Sequence, residues 1–255
     1  MVKNKIFIAV FILSLFLSGC SFLTLPLENE AQHDDPVKNW NLLTEDLKNL
    51  IIVQIDPRKY KLQIIENSPT EPKTIEEIHN QNNAVVSFNG QFFNEDFEPL
   101  GLLISDGQVI SEKTKSDLME GIIAVDQNFN ARLFPAGANL ENIEFAIQNG
   151  PILLDEKGQN LFTSETGKIA SRTALGLDKN NNLILIVIKQ SVLNYDNVIS
   201  LHEFGKLLEE QPEFKEMGLH SVLNLDGGPS SGLALKDSYF PEMEKVQNII
   251  IVTER

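Results

Sequence analysis

The chain has 255 residues, 42% hydrophobic and 22% charged, a balance that excludes a disordered polymer or a multi-span membrane protein and suits one large domain with a real core. Its 36 acidic residues against 21 basic ones give a formal net charge of -15. So acidic a surface repels phosphate backbones and excludes nucleic acid as a partner, while leaving room for one local basic pocket around a single phosphate.

Residues 1–19 form the first unit. Lys3 and Lys5 give a basic start, Ile6 to Leu17 is an apolar run too short to span a bilayer comfortably, and Leu17-Ser18-Gly19-Cys20 follows. That is the pattern of a secretory signal. Its ending resembles a bacterial lipobox, in which cleavage leaves Cys20 as the first, lipidated residue. Several acyl chains on one residue anchor stably, at about 0.8 kcal/mol per buried methylene. Cys20 is the sole cysteine, so no disulfide is available to it. Ser21 rather than Asp follows, which by the sorting preference of such lipoproteins in double-membraned bacteria implies the outer membrane. The expected location is therefore the bacterial cell envelope, with the membrane a partner through lipid on Cys20. Residues 20–42, polar and punctuated by Pro26 and Pro36, read as a tether, and residues 43–255 as the domain.

Within the domain, Leu50 to Asp56 and Tyr60 to Glu66 read as a strand pair joined by Pro57-Arg58-Lys59. Thr74-Ile-Glu-Glu77 has capping-box spacing, so a helix begins there with Ile75 and Ile78 inward. Further strands are expected at Ala84 to Phe88, Leu100 to Ile104, Gly121 to Val125, Ala131 to Phe134, Ile152 to Leu154, Ala174 to Leu177, Leu183 to Ile188, Val222 to Leu225, Leu233 to Leu235 and Asn248 to Val252. Ser200-Leu-His-Glu203 repeats the capping box before a second helix, which Pro212 limits. Many strands and few helices without βαβ alternation define an α+β fold: a single domain with a mixed, mostly antiparallel sheet.

Four polar, glycine-bearing segments interrupt these strands: Ser87-Phe-Asn-Gly-Gln-Phe-Phe93, Gln148-Asn-Gly-Pro-Ile152, Ser171-Arg-Thr-Ala-Leu-Gly176 and Asn224-Leu-Asp-Gly-Gly-Pro-Ser-Ser-Gly232. Each has a plain structural reading. Asp226-Gly227 alone is hairpin chemistry, and an arginine at a strand entrance is usually a surface charge. The last segment is nonetheless longer and more polar than a tight turn needs, and Arg172 can hold two oxygens of a carboxylate or phosphate at once. Gly228-Pro-Ser-Ser-Gly232 also fits the G-x-S-x-G nucleophile elbow, but His33, His79, His202 and His220 all precede Ser230 and a strand rather than a helix follows. A serine hydrolase is the weaker alternative.

Taken together and in this order, FNGQFF, QNGPILL, SRTALG and NLDGGPSSG resemble the hallmark blocks of the phosphodiester glycosidase family. The resemblance covers roughly Leu50 to Val252 and implies hydrolysis of a sugar-1-phosphodiester at the anomeric carbon, with a sugar-phosphate-containing glycan, glycolipid or wall polymer as partner. It implies catalytic roles for Asp226, Arg172 and Asn89 and substrate binding by Gly90, Asn149, Gly150, Gly227, Gly228, Ser230 and Ser231. In the expected mechanism Arg172 and the N–H groups of Gly227 and Gly228 hold the departing phosphate, while Asp226 steadies the oxocarbenium-like transition state or activates water. Glu95, Asp96 and Glu98 are the loop acids available as a second carboxylate. Two departures stand out: Pro229 replaces the usual third glycine, and Lys189-Gln190 replaces the Asp-Gly-Arg of many members. They keep alive the competing reading of a non-catalytic, glycan-binding envelope lipoprotein. With no H-E-x-x-H, cysteine cluster or EF-hand loop, no cofactor or metal site is expected, and Asp226 with backbone oxygens is the one place suited to calcium or magnesium.

Overall fold

The computed structural model describes residues 50–163, 167–189 and 199–255. The expected secretory signal and tether, with Cys20, His33 and Gln190, lie outside the described residues. Among the described residues fifteen strands and three α-helices form, and the strands part into three five-stranded sheets. Every ladder among the described residues is antiparallel, so the α+β reading holds.

The first sheet contains β1 (Leu50–Ile55), β11 (Leu183–Ile188), β10 (Arg172–Leu177), β12 (His220–Asn224) and β9 (Ile152–Leu154), in that order. The second runs β14 (Ser238–Phe240), β13 (Leu233–Leu235), β3 (Val86–Asn89), β15 (Asn248–Glu254) and β2 (Tyr60–Glu66). The third runs β5 (Gln108–Ser111), β4 (Leu103–Ser105), β8 (Ile143–Asn149), β6 (Gly121–Asp126) and β7 (Ala131–Pro135).

Side-chain alternation explains how three sheets share one core. In β11, the run LILIVI is apolar at every position because both faces are covered. Leu183, Leu185 and Val187 enter the central core with Phe88 of the second sheet and Ile123 of the third. Ile184, Ile186 and Ile188 point the other way and meet Phe204, Leu208 and Phe214, carried by helices α2 (Leu201–Glu210) and α3 (Pro212–Met217). β15 repeats the device: Ile250 and Val252 face the central core, whereas Ile249 and Ile251 lie under Ile75 and Ile78 of α1 (Ile75–Gln81).

Both expected capping boxes form. Thr74 accepts from the Glu77 amide while Glu77 accepts from the Thr74 amide, and Ser200 and Glu203 exchange the same pair of bonds. The expected pairing of β1 with β2 does not occur. Asp56 accepts from the Tyr60 amide at 2.9 Å and closes the turn, but β1 then pairs along its whole length with β11, and β2 with β15. Longer ladders with distant partners outcompete the local one. Four elements escape the sequence reading: β5, β8, β14 and α3. Of these β5 is half exposed and lacks period-two alternation, although Asp106-Gly107, with φ of 53° and 74°, makes the primed turn leading into it.

Phe88 is fully buried where the sheets meet. Phe88→Ala is expected to lower unfolding free energy by about 3–5 kcal/mol, against less than about 0.5 kcal/mol for Val109→Ala on the exposed hairpin. Denaturant midpoints at unchanged slope check both values.

Candidate active site

The four glycine-bearing segments are hydrogen-bonded to one another. Asn89, at the end of β3, is buried; its Nδ2 donates to the Asp226 carbonyl at 2.7 Å, and its Oδ1 accepts from Thr173 Oγ1 at 2.9 Å and the Gly232 amide at 3.2 Å. Thr173 Oγ1 also lies 3.2 Å from Ser231 Oγ. The Asp226 amide donates to the Gly90 carbonyl at 3.2 Å, and the Gly228 amide to the Ser171 carbonyl at 2.8 Å. Asn224, the last residue of β12, joins the remaining segment: its backbone amide donates to the Pro151 carbonyl at 3.0 Å and its Nδ2 to the Gly150 carbonyl at 3.0 Å.

Two glycines are required by this crowding. A Cβ on Gly90 would sit 1.8 Å from Asn248 Oδ1, and one on Gly150 would sit 2.3 Å from the Leu118 carbonyl. Gly228, at φ 63°, occupies the left-handed region and starts a 3₁₀ turn through Ser230.

Over this knot opens a cleft of ≈ 890 Å³. Arg172 and Asp226 both line it, together with Gly150, Gly227 and Gly228. Arg172 opens β10 and is only partly exposed; its Nε donates to the Ile199 carbonyl at 3.0 Å and an Nη to the Lys168 carbonyl. These bonds fix the guanidinium without neutralising it, and burial lowers its pKa. Asp226 is the single carboxylate on the cleft wall among the described residues. Burial pushes its pKa up to about 6, with nearby Glu244 adding to the rise, against hydrogen bonds from the Ser230 side chain and the Gly227 amide. Raised carboxylates and desolvated cations sharing one cleft mark a functional site.

The remaining expected site residues fall into three groups. Asn89, Gly90, Ser230 and Ser231 support the wall from behind. Asn149 is fully buried beside Gly150, and neither amide atom has a protein partner among the described residues. Such atoms are met by water or by a ligand. The expected use of the Gly227 and Gly228 amides as phosphate donors is corrected: the first is taken by Asp226 Oδ1 at 2.8 Å and the second by the Ser171 carbonyl. Glu95, Asp96 and Glu98 are exposed and do not line the cleft, so no second carboxylate comes from that loop. Ser230 bonds to Asp226 rather than to a described histidine, and His79 and His220 bond to Ser87 and Ser221, which removes the geometry a serine hydrolase needs.

Sequence reasoning missed Thr173, Asn224 and the role of Lys189. A threonine and an asparagine inside otherwise apolar strands were the available signal. Lys189 directly follows β11, is buried, and donates to the Ser231 carbonyl; burial lowers its pKa, opposed by Glu242. No cluster of three or more His, Cys, Asp or Glu side chains suited to a metal occurs among the described residues. Nor is any described helix long and apolar enough to cross a membrane.

Fold and site together define a class: antiparallel α+β domains that gather distant strand ends around one cleft. The sequence profile of the phosphodiester glycosidase family matches residues 82–253. The chain belongs to that family. It is 26% identical over 165 residues to the uncharacterized protein YigE of Escherichia coli K12, an alignment covering 60% of this chain and 62% of that one. The fold matches the catalytic domain of zebrafish N-acetylglucosamine-1-phosphodiester alpha-N-acetylglucosaminidase, auto-inhibited by its pro-peptide, with a TM-score of 0.63 at 18% identity over 81% of this chain and 83% of that one. It also matches a hypothetical protein from Synechocystis, with a TM-score of 0.55 at 19% identity over 81% and 59% of the two chains.

Because the Asp226 pKa is raised on folding, the native state holds a proton that the unfolded chain releases, and stability falls as pH rises between the ordinary aspartate value of 3.8 and about 6. Asp226→Asn removes this penalty. It is expected to stabilise the protein by on the order of 2 kcal/mol at pH 7 to 8 and by almost nothing at pH 4, where the native acid is already neutral. Urea unfolding of both proteins at the two pH values checks the sign.

Proposed function

We propose that this protein is an envelope hydrolase that cleaves a sugar-1-phosphodiester at the anomeric carbon. The observation that supports this best is the placing of the Arg172 guanidinium and the Asp226 carboxyl on the wall of one cleft. The zebrafish protein of the same fold is an α-N-acetylglucosaminidase acting on an N-acetylglucosamine-1-phosphodiester, which fits the same chemistry.

The residues divide the work as follows. The phosphate of the substrate lies against Arg172, with Lys115 and Lys168 on the same cleft supplying further positive charge. Water attacks C1 as the C1–O bond breaks; the electron pair leaves with a phosphate monoester, and the water proton passes to Asp226. A phosphate monoester is a weak base, so it departs with little proton donation, and charge stabilisation carries more of the barrier. A pKa of about 6 leaves Asp226 mostly ionised at neutral pH yet basic enough to take that proton. Asn224, which lines the cleft and whose Oδ1 has no protein partner among the described residues, orients the sugar, while the fully buried Asn149 lies behind the wall beside Gly150. Asn89 positions Asp226 through the peptide carbonyl instead of touching substrate.

The mature chain is expected to release the phosphate monoester from a chromogenic sugar-1-phosphodiester. Asp226→Asn should lower kcat by about 10²–10⁴, and Arg172→Ala should lower kcat/KM by roughly 10- to 100-fold. In the native enzyme kcat/KM should fall as pH drops through about 6, because Asp226 is then protonated. A rate that rises below that pH would reverse its assigned role, and binding without turnover would make the protein a glycan-binding module.

The envelope location rests on Lys3, Lys5, the apolar run and the L-S-G-C ending. Radiolabelled palmitate should enter the native protein and be lost in Cys20→Ser. Label that persists in the variant contradicts the lipid anchor.

A further inference from the structure

The cleft has a composition that hydrolysis of a free sugar phosphate does not call for. Leu118, Ile169 and Met243 are large apolar side chains left 71%, 61% and 72% exposed, and all three line the cleft. Leu100, 39% exposed, joins them. They come from four loops distant in sequence. Single exposed apolar residues are ordinary, but four of the six large ones exposed among the described residues ring this one opening. Phe92 and Phe93 continue the apolar wall inward.

The charge on the same wall is inverted relative to the chain. A protein with 36 acids and 21 bases lines this cleft with Lys115, Lys168 and Arg172 against Asp226 alone. Cations beside a hydrocarbon collar complement a ligand with an anionic head and an apolar tail. The collar is aliphatic and made of flexible side chains, suited to an alkyl or prenyl chain rather than to the hydroxyl-rich edge of a second sugar.

We propose that the aglycone of the substrate is a hydrocarbon chain: the cleft takes a lipid-linked sugar phosphodiester, with the phosphate at Arg172 and the chain along Leu118, Ile169 and Met243. This rests on the reading above for the position of the phosphate. Water and the lipid-phosphate-linked sugar then give the free sugar and a lipid phosphate, the C1–O bond breaking and the water oxygen remaining on C1.

Calorimetric titration of the mature chain with n-alkyl phosphates from ethyl to octyl, below their micelle concentrations, tests it without requiring turnover. The association constant is expected to rise roughly two- to fourfold per methylene. In the triple variant Leu118→Ser, Ile169→Ser, Met243→Ser that slope should flatten while ethyl phosphate binds as before, which also shows that the variant is folded. Arg172→Ala should weaken ethyl and octyl phosphates alike. Octyl phosphate binding no tighter than ethyl phosphate overturns the proposal, as does a slope untouched by the triple variant. A chain-length slope with no turnover of any sugar-1-phosphodiester would instead sink the hydrolase reading and leave the collar standing.

Discussion

One buried amide side chain holds the site together. Asn89 contacts Asp226, Thr173 and Gly232 through its two polar atoms, so segments separated by 84 to 143 positions are fixed by a single residue. Each neutral hydrogen bond contributes only about 0.5–1.5 kcal/mol net, yet deleting the amide would orphan the Asp226 carbonyl and the Gly232 amide and leave Thr173 with Ser231 alone, and orphaned groups cost more than formed bonds gain. The apolar framework makes this possible. β11 and β15 are buried on both faces, so their sheets cannot shift without exposing a core, and the strand ends carrying the polar segments are held in register.

The knot leaves two charges where water is scarce. Arg172 is tied by backbone carbonyls and Asp226 by Ser230 and the Gly227 amide, so each is oriented by groups that do not cancel its charge. A site arranged in this way is destabilising for the fold and suited to a ligand that brings an anion to the guanidinium. Lys189 shows a related economy. Where many members carry Asp-Gly-Arg, this chain buries an ammonium against the Ser231 carbonyl, so the cation braces the glycine-serine loop from behind.

Much of this was legible in the sequence because the signals were local. The Thr74 and Ser200 capping boxes, the LILIVI run and the four ordered motifs all survive in the structure. What was not legible depends on distant partners. Pro57-Arg58-Lys59 makes a good turn in either pairing scheme, and only the longer ladders with β11 and β15 decide that β1 and β2 part. Likewise nothing in Gly227-Gly228 reveals that the Ser171 carbonyl lies within reach of the second amide. The apolar collar was invisible for the same reason, since Leu118, Ile169 and Met243 share no pattern until loops bring them to one opening.

The central claim is that Arg172 and Asp226 serve one cleft, the guanidinium against the substrate phosphate and the carboxylate beside the anomeric carbon next to it. It is tested most directly by following the Asp226 carboxyl carbon through a pH titration by NMR, with and without a sugar-1-phosphate. The account predicts a midpoint near 6 in the free protein, and a further rise when the anion occupies the cleft and disfavours the carboxylate. A midpoint near the ordinary aspartate value, or one that the ligand leaves unmoved, would contradict it.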